Sequence, residues 1–260
     1  MDGAKILQSL ERYLRLQTHP FAVRMMKSQD EVPSKVKRPQ RDFGHKIAVC
    51  QGIAFARKYG WSVAMTADDL ICPIALEVFG LAESAAFWLE GNLCVGMYNE
   101  TLEAGARTEE ATYKFKPNEY AGILVAPLFR LDFEPDVVGV YCNPAQAMRL
   151  VQAALYKQGG RLEFTVQGRA DCSEEIIQTM LKRKPQLILP CNGDRVFGGV
   201  ADDELAFFTP NNQIDEIVYG LEETHKNGIR YPIPQTLAFE PRFPESYRKL
   251  YDIITKAQPG

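Results

Sequence analysis

The chain has 260 residues, of which 46% are hydrophobic and 24% charged, and its formal net charge is -3. These values are ordinary for a soluble globular protein with ample length for a core, and the charge gives no reason to propose nucleic acid as a partner. No apolar run approaches the roughly 20 residues that a membrane span needs, and the amino-terminal stretch lacks the features of a signal peptide. We therefore expect a cytoplasmic protein whose thiols stay reduced.

Hydrophobic periodicity and turn residues predict alternating strands and helices along the chain. Strands are expected at residues 20–26, 46–50, 61–66, 93–98, 123–129, 135–142, 185–191 and 204–209, with one more alternating run after Gly159. Helices are expected at residues 3–17, 51–59, 73–79, 101–113, 173–184, 213–226 and 244–257, and directly after Cys142. Gly60 suits the left-handed position that ends a helix, and Pro73 suits the first position of one. Residues 28–44 are expected to form a polar loop.

Two stretches, 47–72 and 137–172, share the same order of parts. In each, an apolar run ends in a cysteine, an arginine follows seven residues later, a glycine ends the helix, and an aspartate precedes a second cysteine. This order predicts an α+β (α/β-like) fold, a duplicated strand–helix–strand–helix unit with pseudo-two-fold symmetry. Residues 1–260 would form a single domain of two repeats, roughly 20–98 and 122–209, with a helical and proline-rich C-terminal tail. The alternative is an α/β domain whose cysteines recur by coincidence.

Four of the six cysteines stand immediately before predicted helices, namely Cys50, Cys72, Cys142 and Cys172. The free N–H groups and partial positive charge of a helix start favour thiolate, the form that binds metal or attacks an electrophile. The spacing shows neither a zinc ribbon nor a dense ferredoxin-like run. Ligands from separate loops can nevertheless share an iron–sulfur cluster, zinc or cuprous copper. For each cysteine singly, the competing interpretation is a small buried hydrophobe.

A loop with the sequence NGDR follows Cys191 at the end of a predicted strand. Its turn-forming residues explain it structurally, but the carboxyl end of a strand is also where α/β folds place ligand sites. Arginine can hold a carboxylate or phosphate through paired hydrogen bonds. The predicted cofactor-binding residues are therefore Arg149, Asn192 and Arg195. Arg57 and Arg149 also fit exposed helix charges, which is the interpretation that we favour for them.

Several segments together resemble one known family. They are PFAVRMM (20–26), Cys50-Gln51, ADDLICPIALEVFGL (67–81), APL (126–128), PDVVGVYCNPAQAMRLVQA (135–153) and LPCNGDRVFGGVADDELAFFTP (189–210). In this order they resemble the uncharacterised ArCR (archaeal cysteine-rich) family, domain-of-unknown-function family one hundred and sixty-nine, of anaerobic archaea and bacteria. The resemblance covers about residues 15–225 and implies no established activity. It implies that the cysteines of the family pattern are Cys50, Cys72, Cys142, Cys172 and Cys191, with Cys94 outside it.

These observations favour a protein that binds an iron–sulfur cluster or another soft metal centre through some of those five cysteines. It would serve redox or cofactor metabolism in an anaerobe, with a redox partner or a small-molecule ligand. One alternative is a module that binds a small ligand or a tetrapyrrole without catalysis, using the cysteines as packing. Another is a thiol-dependent enzyme with one nucleophilic cysteine. The exposed strand edge of a duplicated unit is compatible with a homodimer.

Overall fold

A computed structural model describes residues 3–234, 237 and 240–256, and it confirms the α+β class. One antiparallel sheet of six strands has the order β2-β3-β1-β4-β6-β5. The strands are β1 (Phe21–Met26), β2 (Val63–Met65), β3 (Gly122–Pro127), β4 (Val137–Cys142), β5 (Gln186–Ile188) and β6 (Leu205–Pro210). The helices are α1 (Gly3–Leu14), α2 (Pro39–Phe43), α3 (Val49–Tyr59), α4 (Pro73–Val78), α5 (Ala86–Leu89), α6 (Leu102–Ala111), α7 (Pro144–Ala154), α8 (Thr179–Lys182), α9 (Ile214–Lys226) and α10 (Glu245–Lys256).

The sheet separates two hydrophobic layers because successive strand residues point to opposite faces. On β1, Phe21 and Val23 pack with α3 and α4, on what we call the α3 face. Ala22 points the other way and packs with α1, α7 and α9, on the α7 face. Each face is therefore covered by helices, and the sheet itself is almost wholly buried.

The structure does not confirm the duplicated unit. The strand order does run symmetrically outward from the β1–β4 pair, and these two strands are antiparallel. A two-fold axis between antiparallel neighbours stands perpendicular to the sheet and keeps related helices on one face. The helices α3 and α7, which occupy matching places in the proposed repeats, lie on opposite faces.

Three predicted strands are absent from the described part of the chain. Residues 46–50 do not form a strand, because α3 begins at Val49 and the side chain of Gln51 accepts from the Ala48 N–H at 2.9 Å. Residues 93–98 form tight turns, and the run after Gly159 is an irregular extended loop. The boundary signals were correct where they are local: Gly60 is left-handed with φ of 69°, and Pro73 is the first residue of α4.

The carboxyl-terminal helix α10 agrees with the prediction of 244–257, although Ala257 lies outside the described residues. None of the side chains of α10 is buried. Across the ranges that the structure describes, no helix has the length and apolar character required to cross a lipid bilayer.

Candidate metal centre

Four cysteines from four separate segments meet on the α3 face. They are Cys50 in the first turn of α3, Cys72 before α4, Cys172 after the loop that precedes α8, and Cys191 after β5. Burial raises the pKa of Cys172, and negative charge at Asp171 and at the three other sulfurs raises it further. The pKa of Cys50 is raised in the same way, first by burial and then by neighbours that include Cys191 and Cys72. The sulfurs are therefore close enough to interact, and all are free thiols; we call them the four-thiol cluster.

The spacing within this cluster distinguishes between kinds of metal. Within the described ranges, one group of three possible ligand atoms lies within 4.8 Å of one another, and these atoms belong to Asp171, Glu175 and Asp194. A single zinc ion with Zn–S bonds of about 2.3 Å would need its four sulfurs about 3.8 Å apart. No three of the four sulfurs are gathered that closely.

Asp171 connects two of the cysteines. Its Oδ1 accepts from the backbone N–H of Cys172 at 2.9 Å and from the Cys191 thiol at 3.1 Å. Its Oδ2 accepts from the backbone N–H of Cys191 at 2.9 Å. Burial and the nearby Asp171 carboxylate raise the pKa of Cys191 to about 12. Asp171 thus fixes the two chain segments that present Cys172 and Cys191.

Tyr141 lies beneath the cluster between two buried acids. Its hydroxyl oxygen is 2.6 Å from Asp194 Oδ2 and 2.8 Å from Glu175 Oε1. A hydroxyl has one proton to donate, so one of the two contacts requires a protonated carboxyl group. Burial and the charge of Asp171 raise the pKa of Asp194 to about 8, and the same two causes raise that of Glu175. Both shifts favour the protonated form of these acids.

Arg57 supplies a buried positive charge next to this group. Its guanidinium lies 4.1 Å from the centroid of the Tyr141 ring, and its Nη1 is 2.9 Å from Glu204 Oε1. The prediction that Arg57 and Arg149 are exposed helix charges is wrong, because both side chains are fully buried. Glu204, which lies 147 residues further along the chain, accepts from Arg57 and offsets the cost of burying its charge.

Two π-helical segments follow two of the four cysteines. Ser173–Gln178 begins directly after Cys172, and Asp194–Gly198 begins three residues after Cys191. The first segment carries Glu175 and the second begins with Asp194. Helical π turns are rare and occur frequently at functional sites, because the extra residue changes which side chains point inward.

Three of the four thiols have higher pKa values than a helix start alone would give them. We expected the helix termini to favour thiolate, but burial raises the pKa values of Cys50, Cys172 and Cys191. Loss of solvation and nearby carboxylates outweigh the partial charge of a helix end. A neutral thiol is a poor nucleophile, so the raised pKa values make Cys50, Cys172 and Cys191 weaker nucleophiles than ordinary cysteines. A metal can displace these protons by direct bonding to sulfur.

Cys142 does not join the other four cysteines. It is the residue after Tyr141 on β4, so its side chain points to the α7 face, where it packs with Val140. Burial, with the charge of Glu204, raises the pKa of Cys142 to about 12. We therefore leave Cys142 out of the candidate centre.

Cys94 has a separate environment. Its thiol donates to Glu109 Oε1 at 3.0 Å, and Arg169 makes two hydrogen bonds to the same carboxylate. This buried group is a structural contact between α6 and the chain just before Asp171.

The three predicted cofactor-binding residues are not brought together. Arg149 lies within the α7 face, where its Nη2 donates to the Leu221 carbonyl at 3.2 Å. Asn192 is exposed beside Cys191, and Arg195 Nη1 donates to the Ala201 carbonyl at 2.6 Å. Only Asn192 and Arg195 lie on the segment that carries the candidate centre.

Sequence reasoning missed Tyr141 and the acids Asp171, Glu175 and Asp194 as parts of the site. Two of them had a visible signal, since Asp171 directly precedes Cys172 and Asp194 lies in the NGDR loop. Because strand residues alternate between the two faces of a sheet, Tyr141 would have been placed on the α3 face once Cys142 was placed on the α7 face.

Comparison with known proteins agrees with the resemblance noted from the segments. The family described as DUF169, uncharacterised ArCR, matches residues 9–220, which include the whole four-thiol cluster. The chain is 29% identical over 228 residues to the uncharacterised protein MJ0308 of Methanocaldococcus jannaschii, covering 85% of this chain and 96% of that protein. No solved structure matches. The chain belongs to the uncharacterised ArCR family.

Proposed function

We propose that the protein binds an iron–sulfur cluster through Cys50, Cys72, Cys172 and Cys191 and serves redox or cofactor metabolism in an anaerobe. The observation that supports the proposal is the convergence of these four thiols from distant segments, with Cys172 buried and the other three partly buried. Soft thiolates select iron–sulfur clusters, zinc or cuprous copper. No three of the four sulfurs lie within 4.8 Å of one another, which is further apart than the ligands of a single zinc ion and supports the cluster over one ion.

The negative charges around the thiols also favour binding of a cation. Four thiolates next to Asp171, Glu175 and Asp194 would concentrate negative charge in a buried space, which is costly without cations. Iron supplies that positive charge, so binding should release the thiol protons. The hydrogen bonds of Asp171 to the backbones of Cys172 and Cys191 would hold those ligands in place, as outer-shell groups do at metal sites.

Two exposed apolar side chains close in sequence to the cysteines would be available to a redox partner. Ile71 and Leu189, which flank Cys72 and Cys191 in the chain, are 67% and 44% exposed. These two side chains would be the first contacts to test for transient binding of another protein.

The test is anaerobic purification followed by an absorption spectrum and analysis of iron and acid-labile sulfide. Broad absorption toward the blue end, with iron and sulfide in comparable amounts, is the expected result. Zinc without sulfide would replace the cluster by a single ion, and a sharp near-ultraviolet band would point instead to a tetrapyrrole. A colourless protein that takes up no metal even after reconstitution would contradict the proposal.

A further inference from the structure

We propose that a basic cleft beside α8 binds a soluble organic phosphate of nucleotide size. The cleft has a volume of about 810 Å³ and lies between the loop after α7, the turn from α8 to β5 and the start of α9. Clefts of roughly 300–1,000 Å³ are the usual size for small-molecule sites. The proposal goes beyond the iron–sulfur function and does not depend on it.

The charge of the cleft is positive although the chain as a whole is acidic. Four basic side chains line it: Arg161, Lys182, Arg183 and Lys184. Among the described residues, no carboxylate lies within ion-pair distance of any of these four. The cleft also contains two acids, but Glu216 already pairs with Lys157 at 3.5 Å, which leaves Glu163. Lys182 donates to Thr165 Oγ1 at 3.0 Å, and an anionic ligand would supply charged partners for the four side chains.

The backbone of the cleft leaves space for such a ligand. Gly159 and Gly160 have φ values of 66° and 80°, and a Cβ added at either would meet no atom within 4 Å. Arg183 also has a positive φ, of 51°, at the position that ends α8. Glycine or asparagine is the usual choice there, because the Cβ atom of other residues crowds the backbone in this conformation. An arginine held in a strained conformation next to open space is consistent with a role in binding.

Phosphate is the anion that best matches these groups. The planar guanidinium of Arg161 or Arg183 can form two parallel hydrogen bonds to one phosphate, and an ammonium acts as a compact point charge. Leu162, Pro185 and Ile217 add apolar surface to the same cleft. The combination of a charged end and an apolar wall favours an organic phosphate over the free ion.

The test is calorimetric titration of the full chain with ADP, with inorganic phosphate in parallel. ADP should bind with a Kd below about 1 mM, more tightly than inorganic phosphate, and more weakly as salt is added. The double variant Arg161→Glu/Lys184→Glu should weaken ADP binding by about tenfold or more, because it reverses two charges. The matched control Lys35→Glu/Lys37→Glu reverses two exposed charges outside the cleft and should leave the binding unchanged.

Three results would overturn the proposal. They are no binding of ADP at millimolar concentration, equal affinity for ADP and inorganic phosphate, or equal weakening by the cleft variant and the control. Iron and sulfide content, measured on the same samples, keeps the two proposals apart. A failed cleft leaves that content unchanged, and a failed cluster leaves ADP binding unchanged.

Discussion

The buried ion pair between Arg169 and Glu109 should be one of the most sensitive points of the fold. Two hydrogen bonds of 2.8 and 2.7 Å join the guanidinium to the carboxylate, and the side chains are 2% and 0% exposed. Arg169 lies two residues before Asp171, so the pair ties the segment that carries Cys172 to α6. The substitution Arg169→Met leaves the Glu109 charge buried with the Cys94 thiol as its remaining hydrogen-bond donor.

The expected cost follows from that uncompensated charge. Removal of one partner of a buried pair costs about 3–5 kcal/mol, whereas replacement of both by apolar residues is often close to neutral. For a chain of this size, such a loss lowers the Tm by about 6–20 °C. The double variant Arg169→Met/Glu109→Met should therefore recover most of the stability that the single variant loses.

The assay is urea unfolding of the wild type, the single variant and the double variant under reducing conditions. The free energies of unfolding should rank wild type and double variant well above Arg169→Met. A loss of less than about 1 kcal/mol in the single variant, or a double variant no more stable than the single one, would refute the reasoning.

Three further substitutions test other contacts by the same unfolding assay. Gly220→Ala would place a Cβ 2.2 Å from the Ala153 carbonyl oxygen where α9 crosses α7, and should cost about 1–3 kcal/mol; an unchanged stability would show that the helices separate freely. Tyr141→Phe should cost about 1–3 kcal/mol because it removes a hydroxyl shared by two buried acids, and a neutral effect would mean that water replaces it. Asp69→Asn should cost about 1.5–3 kcal/mol near pH 7, because hydrogen bonds from Arg38 and Thr66 lower the pKa of Asp69 against the opposing effect of burial. Because the pKa is lowered in the folded state, ionised Asp69 stabilises the fold above the unfolded pKa of about 3.9, and this stabilisation is lost as the pH falls. The difference in unfolding free energy between wild type and Asp69→Asn should therefore shrink below about pH 4. A difference that stays constant with pH would contradict the assignment.

Features that depend on local chemistry were readable from the sequence. The end of α3 at Gly60 and the start of α4 at Pro73 follow from the backbone preferences of single residues. The prediction of a strand at 46–50 was wrong because an apolar run this short does not show whether its periodicity is that of a strand or of a helix. There the side chain of Gln51 caps the helix, which therefore begins before Cys50.

Features that depend on distant partners were not readable in the same way. Arg57 is buried because Glu204, far along the chain, meets it across the site. Cys142 was grouped with the other cysteines because its place before a helix resembles theirs. The face to which it points depends on the register of the sheet and on which face α3 covers. The resemblance implied that the family pattern includes Cys142, but its side chain lies on the α7 face, away from the four-thiol cluster.

The most direct measurement is the iron and acid-labile sulfide content, per chain, of single Cys→Ser variants purified and reconstituted without oxygen. Cys50→Ser, Cys72→Ser, Cys172→Ser and Cys191→Ser should each lose most of the cluster and its absorption. Cys142→Ser and Cys94→Ser are matched controls, because both replace a buried thiol outside the four-thiol cluster, and they should retain wild-type content. Full content in any two of the first four variants, or a loss in Cys142→Ser equal to theirs, would contradict the assignment of the centre.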